Sequence, residues 1–288
     1  MPSLLTIPRE IRDQIYDWML SDTLPSSRSR ELQRERKTIE YSRSDPETLF
    51  GQGAIQFPVH TSLPPAHGLL HAARQIRHEF LDSIKRLGGV RYKVDLVDRK
   101  DRGVLAPTWI SVPCLPCFAD RIDVLEVHWR VRSGKTSSVV TSVGESDHFN
   151  CNQFNGSLAL LQRFIERGIY LLSKKKRVKV HIGVLEIHLN AGWGPELFGF
   201  EVEVDEFAEA AGLFLDDYLL GEDSFVDDGL MRQEFDAQFE MLVGKIDRVQ
   251  MYANGALKRE WELRDAIAMR EAHKINAARR GELSGDEH

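Results

Sequence analysis

One nine-residue pattern recurs in this chain, with five of its nine positions identical. Arg121-Ile122-Asp123-Val124-Leu125-Glu126-Val127-His128-Trp129 is echoed 60 residues later by His181-Ile182-Gly183-Val184-Leu185-Glu186-Ile187-His188-Leu189. A fainter copy, Lys245-Ile246-Asp247-Arg248-Val249-Gln250-Met251-Tyr252, begins after 64 more. Each copy alternates large apolar with polar residues, the period of a strand with one buried face. Between the first two, Leu158, Leu161, Ile165 and Leu172 line one side of a helix. Between the second and third lie helices near 205–220 (Phe207, Ala211, Phe214, Tyr218) and 228–244 (Phe235, Phe239, Leu242). Strand–helix–strand spacing requires crossover connections and parallel pairing. The expected fold class is therefore α/β, in the mixed α+β sense. N-terminal helices come first, then degenerate βα units forming a largely parallel sheet with helices packed on at least one face. The period is too long and the copies too few for a solenoid.

The flanking segments complete this plan. Pro8 suits a first helical position, and Ile11, Ile15, Trp18 and Met19 give one apolar face to a helix over about 8–20. Residues 26–48 are rich in Arg, Ser and Glu and are expected to be a mobile linker or exposed loop. A second helix over about 67–86 is lined by Leu69, Ala73, Ile76, Phe80 and Ile84 and stops at Gly88-Gly89. Val90, Tyr92, Val94 and Leu96 alternate as a strand, and 104–112 is a candidate for another. Residues 133–150 read as a long loop. Asn254-Gly255 signals a hairpin, with a returning strand at 256–262 and a helix over about 263–279. The domain expectation is an N-terminal helical segment, 1–87, with a polar insert over 21–60, then a βα-repeat domain, 88–280, and a disordered tail, 281–288.

Composition limits the function classes. Lys plus Arg total 38 and Asp plus Glu 44, a formal charge of −6, whereas general nucleic-acid binders carry a basic excess. No apolar run approaches the roughly 18 residues that span a bilayer, and the N-terminus lacks a signal-peptide pattern. The 3 cysteines do not make a disulfide framework. No nucleic acid and no membrane are expected as partners, and the expected location is cytoplasmic or nuclear.

The sequence carries no recognised catalytic constellation, and no catalytic residue, cofactor or metal is expected. Cys114-Leu115-Pro116-Cys117 has thioredoxin-like spacing, but its prolines point to a loop and not to a helix N-terminus. A zinc site completed by His148 and Cys151 would bridge a long loop. Lys174-Lys175-Lys176-Arg177 is read as a solvated turn, with nuclear import or phosphate contact as the sharper alternative. Asp216-Asp217 and Asp227-Asp228 fit helix ends. His128 and His188 hold equivalent places in the echo and share the polar strand face with Glu126 and Glu186. That face is either a solvated sheet surface or, if open, a binding surface, and paired imidazoles are one way a metal or acid–base site arises.

Two segments carry a family resemblance. Leu5-Thr6-Ile7-Pro8-Arg9-Glu10-Ile11-Arg12-Asp13-Gln14-Ile15-Tyr16 resembles the opening of an F-box, Leu-Pro-x-Glu-Ile ahead of an amphipathic helix, with Ile7 in place of Leu. Leu69-Leu70-His71-Ala72-Ala73-Arg74-Gln75-Ile76-Arg77-His78-Glu79-Phe80 is similar to the "Leu-Leu, then Cys-Arg-x-x-Arg-x-Glu" segment of fungal F-box-like proteins, including the two-EXR group. Glu10-Ile11-Arg12 stands as the first E-x-R. Gln75-Ile76-Arg77 stands where the second would be, and Ala73 replaces the Cys. The resemblance covers under a fifth of the chain. It implies an interaction adaptor that docks a Skp-type subunit of a cullin-RING ubiquitin ligase and presents a substrate. Ile7, Pro8, Ile11 and Ile15 would form the docking face, which must then be exposed. An interaction protein with no ligase role would bury the same face in its own fold. An enzyme of unrecognised type would show a deep pocket with convergent polar groups such as His128, His188 and Glu186.

Overall fold

The computed structural model describes residues 4–21, 35–42, 44–45, 49, 51–59, 67–99, 104–115, 117–118, 121–131, 151–173, 179–191, 204–220 and 229–284. The loop expected at 133–150, the basic run at 174–177, His148 and Asp227-Asp228 lie outside them.

Eight strands and seven α-helices are described, together with two short 3-10 turns at Leu4–Thr6 and Gln52–Ala54. The helices are α1 (Arg9–Ser21), α2 (His67–Leu70), α3 (Arg74–Arg86), α4 (Cys151–Arg167), α5 (Val204–Leu220), α6 (Gly229–Val243) and α7 (Leu263–Ser284). The strands are β1 (Arg36–Thr38), β2 (Gln56–Pro58), β3 (Arg91–Arg99), β4 (Val104–Ser111), β5 (Arg121–Val131), β6 (His181–Ala191), β7 (Ile246–Ala253) and β8 (Ala256–Glu262). β1 and β2 make an antiparallel ribbon, and the other six form one sheet in the order β4-β3-β5-β6-β7-β8.

The sequence echo is the ladder register. β5 pairs parallel with β6 so that Ile122, Leu125, Glu126 and His128 lie opposite Ile182, Leu185, Glu186 and His188. β6 pairs parallel with β7, setting Glu186 beside Gln250 and His188 beside Tyr252. β3 is parallel to β5, and antiparallel hairpin strands β4 and β8 close the two edges. Asn254 (φ 51°) and Gly255 (φ 80°) both adopt positive φ in the last hairpin, as its tight turn requires.

Strands β5, β6 and β7 are added in one direction, and right-handed crossovers then place every connecting helix on the same face. On that inner face Tyr92, Val94, Leu96, Leu125, Trp129, Leu185, Leu189, Val249 and Met251 are buried. They meet Leu158 and Phe164 of α4, Phe207 and Ala211 of α5 and Leu242 of α6 in one contiguous core that also holds Tyr16 and Phe80 of the N-terminal helices. The predicted Leu172 falls beyond the end of α4. The chain from β4 to β5 crosses the inner face, where the Tyr92 hydroxyl donates to the Cys114 carbonyl. Gly89 (φ 94°) turns α3 into β3, and the Val90 N–H donates to the Asp123 carboxylate at 2.7 Å. In the echo Gly183 takes the place of Asp123, where an added Cβ would come within 2.8 Å of the Asp123 carbonyl oxygen.

Three expectations are corrected. The helix predicted over 67–86 breaks at 71–73 into α2 and α3, with Ala73 exposed and Leu70 buried. The polar segment expected to be a mobile loop contributes β1, because the Arg36 guanidinium donates to the carbonyls of Gln56 (3.0 Å) and Pro107 (2.9 Å) and to the Thr108 hydroxyl (2.8 Å). Ile55 and Phe57 in the same insert are fully buried. The last helix runs through Ser284, past the boundary predicted for the disordered tail, and only 285–288 of that tail lie outside the described residues.

Candidate functional site

Helix α1 is rotated relative to its apolar pattern, with Met19 still packed against the core. Its buried side carries Arg12 (5% exposed) and Tyr16 (0%), while Ile11 is 45% and Trp18 69% exposed. Of the predicted docking residues, Pro8 and Ile11 are exposed and Ile7 and Ile15 half-buried. Residues 8, 11, 15 and 18 fall on one helical stripe, so Pro8, Ile11 and Trp18 are exposed beside Glu10 and Gln14.

A single carboxylate explains the rotation. The Arg12 fork holds Glu79 of α3 through Nε–Oε2 at 2.8 Å and Nη2–Oε1 at 2.6 Å, a bidentate pair. The Tyr16 hydroxyl and the Gln75 amide also donate to Glu79, at 3.2 and 2.9 Å, and Arg9 lies 3.3 Å away. Arg12 also donates to the Ile7 carbonyl. The hydrogen bonds from Arg12 hold Glu79 at about 2, against the burial that raises it, with Gln75, Arg9 and Tyr16 adding to the effect. Tyr16 packs edge-on against Phe80 at 5.7 Å. The arginine of the first E-x-R and the glutamate of the second motif are thus a structural clamp between α1 and α3.

The second candidate region is the outer face of the sheet. Successive strand residues alternate faces, so Glu126, His128, Glu186 and His188 project away from the core, each half-buried. In-register rings on parallel strands stack at the strand spacing. The His128 and His188 ring centroids are 4.9 Å apart and 10° from parallel, and His188 and Tyr252 are 4.6 Å and 9° apart. The row beneath is charged. Lys93 Nζ lies 2.7 Å from Glu126, and Arg91 spans Glu126 at 3.4 Å and Glu186 at 3.2 Å. His128 Nε2 contacts Glu126 Oε1, and His188 Nε2 lies 3.4 Å from Glu186 Oε2. The contact with His128, and then Lys93, hold Glu126 well below the usual carboxylate range despite its partial burial. Glu126, His128 and His188 each bring one potential ligand atom within 4.8 Å of the others. Tyr252, Lys93 and Arg91 belong to this surface but were not among the predicted site residues. Tyr252 was marked by its alignment with the two histidines.

Other features do less. Burial pushes the Cys114 thiol up to about 12, which keeps it protonated and a poor nucleophile at neutral pH, while Cys117 is exposed. An apolar cavity of about 80 Å³ between sheet and helices is lined by Leu125, Trp129, Phe154, Leu185, Leu242 and Trp261, among others. His128, His188 and Glu186 are not part of its lining. Among the described residues no helix is long and apolar enough to cross a membrane. No protein-family model, no curated protein and no solved structure matches the chain.

Proposed function

We propose that this protein is a non-catalytic, F-box-like interaction adaptor whose α1 surface docks a Skp-type subunit and whose βα portion holds a substrate protein. The observation that carries the reading is the rotated helix, with Arg12 and Tyr16 buried while Ile11 and Trp18 face solvent. Exposing a tryptophan and an isoleucine on one stripe forgoes burial worth about 1.5–3 kcal/mol for each large apolar side chain. A partner surface recovers it, and tryptophan is among the residue types most often found as interface anchors. The resemblance of 5–16 to an F-box opening names the partner class, and the cullin-RING ubiquitin ligase role follows from it.

The test is a titration of the full-length chain with a purified Skp-type subunit. Micromolar or tighter binding is expected, reduced by about 30-fold or more in Trp18→Ala, as for an interface anchor. The circular dichroism of that variant should be unchanged. Absence of binding by the unaltered chain would overturn the adaptor reading. Binding that Trp18→Ala and Ile11→Asp leave intact would move the docking surface away from α1.

A further inference from the structure

We infer that Glu126, His128 and His188 form a binding site for a zinc-class divalent cation on the open face of the sheet. This departs from the sequence-based expectation of no metal and is independent of the adaptor reading.

The ladder sets two imidazoles in register on neighbouring parallel strands, His128 stacked on His188 and His188 on Tyr252. Stacked in this way, rings 4.9 Å apart make no hydrogen bond to one another, yet Nε2 of each lies beside a glutamate on its own strand. Both nitrogens therefore face the same side, toward the carboxylate row. Zinc accepts imidazole nitrogen at about 2.0–2.1 Å and carboxylate oxygen at about 2.0–2.2 Å, in near-tetrahedral geometry. The ligand atoms already lie within 4.8 Å of one another, and the two stacked rings must tilt for their nitrogen lone pairs to converge on one ion. Two imidazoles and one carboxylate suit zinc or copper better than calcium or magnesium, which prefer oxygen ligands. Three protein ligands leave a fourth position, which water would fill.

Binding requires both Nε2 atoms unprotonated, with the ring proton on Nδ1. Lys93 competes, because its ammonium lies 2.7 Å from Glu126 Oε1. Arg91 at the two glutamates adds further positive charge. The site is therefore restrained in affinity, and relieving Lys93 should strengthen it.

The experiment is calorimetric titration of chelator-treated, full-length protein with Zn²⁺, and with Co²⁺ followed by its visible absorption. One ion per chain is expected, with the Co²⁺ bands of a four-coordinate site. His128→Phe and His188→Phe keep a ring in the stack and remove the nitrogens. Each should lose affinity beyond the roughly 10–100-fold that loss of a supporting residue costs. Lys93→Met should tighten binding several-fold. No saturable heat, or binding that both phenylalanine variants retain, would overturn the site. Binding unchanged in Lys93→Met would overturn Glu126 as a ligand.

Discussion

Helices α1 and α4 are both amphipathic, yet they bury chemically different sides. α4 turns Leu158, Phe164 and Ile165 into the core, as its periodicity predicts. α1 turns in Arg12 and Tyr16 and leaves Ile11 and Trp18 outside. Periodicity establishes that a helix has two sides, and what waits at the docking site decides which side goes in. For α4 that is the apolar sheet face. For α1 it is a buried carboxylate, Glu79, that would be left unpaired without a guanidinium. The α4 junction thus spreads its stability over many carbon contacts, while the α1 junction concentrates it in one group.

The comparison can be broken at either end. Leu185→Ala, on the sheet under the helical layer, should cost about 3–4 kcal/mol in urea unfolding. A loss under 1 kcal/mol would mean that layer is loosely packed. Glu79→Ala should cost about 3 kcal/mol, because it strands a buried charge, whereas the double variant Arg12→Met/Glu79→Met should recover most of that loss. If the double variant is as unstable as the single one, the clamp contributes by its geometry and not by cancelling charge.

Acid sharpens the contrast further. Glu79 is held at about 2, below its ordinary 4.5. A lowered folded-state value means the contribution is complete above about pH 4.5 and is lost as pH falls toward 2. Asp247 behaves alike. Burial raises it, but hydrogen bonds from His181, Arg264 and Arg121 prevail and hold it at about 2. The difference between the unaltered chain and the double methionine variant, followed by thermal melts from pH 6 to 2, isolates the Glu79 share. On acidification the unaltered chain should lose stability relative to the double methionine variant, and a constant gap would refute the assignment. The smallest effect is expected at Trp18→Asp, within about 0.5 kcal/mol of the parent, since that side chain is already in solvent.

These two helices also show what a sequence displays and what it hides. The β5–β6–β7 register was legible because each strand recurs after a similar crossover, so aligned letters became spatial neighbours. The pairing of His128 with His188 followed directly. The orientation of α1 was not legible. Its cause, the Arg12–Glu79 pair, joins residues 67 positions apart, and a count of apolar positions gives an arginine no reason to be inside. The β1–β2 ribbon was hidden for a related reason. It is short and polar, and Arg36 anchors it through carbonyls that have no sequence signature. Lys93 and Arg91 alternated visibly along their strand, but nothing local placed that strand beside Glu126.

The likeness of β5 and β6 has a consequence for how the chain finds its fold. Two interchangeable strands can compete for the place beside β3, and a chain that seats β6 there first must back out before it can finish. The Asp123 carboxylate accepts the Val90 N–H, and Gly183 has no such group to offer. Gly183 in turn belongs where a Cβ would strike the Asp123 carbonyl. Among the four positions at which the nine-residue copies differ, this one acts as a key between the strands and biases the search before the helices have packed. Refolding of Asp123→Gly, followed by tryptophan fluorescence, should therefore show an added slow phase from trapped chains. Single-phase recovery at the parent rate would mean strand order is chosen elsewhere.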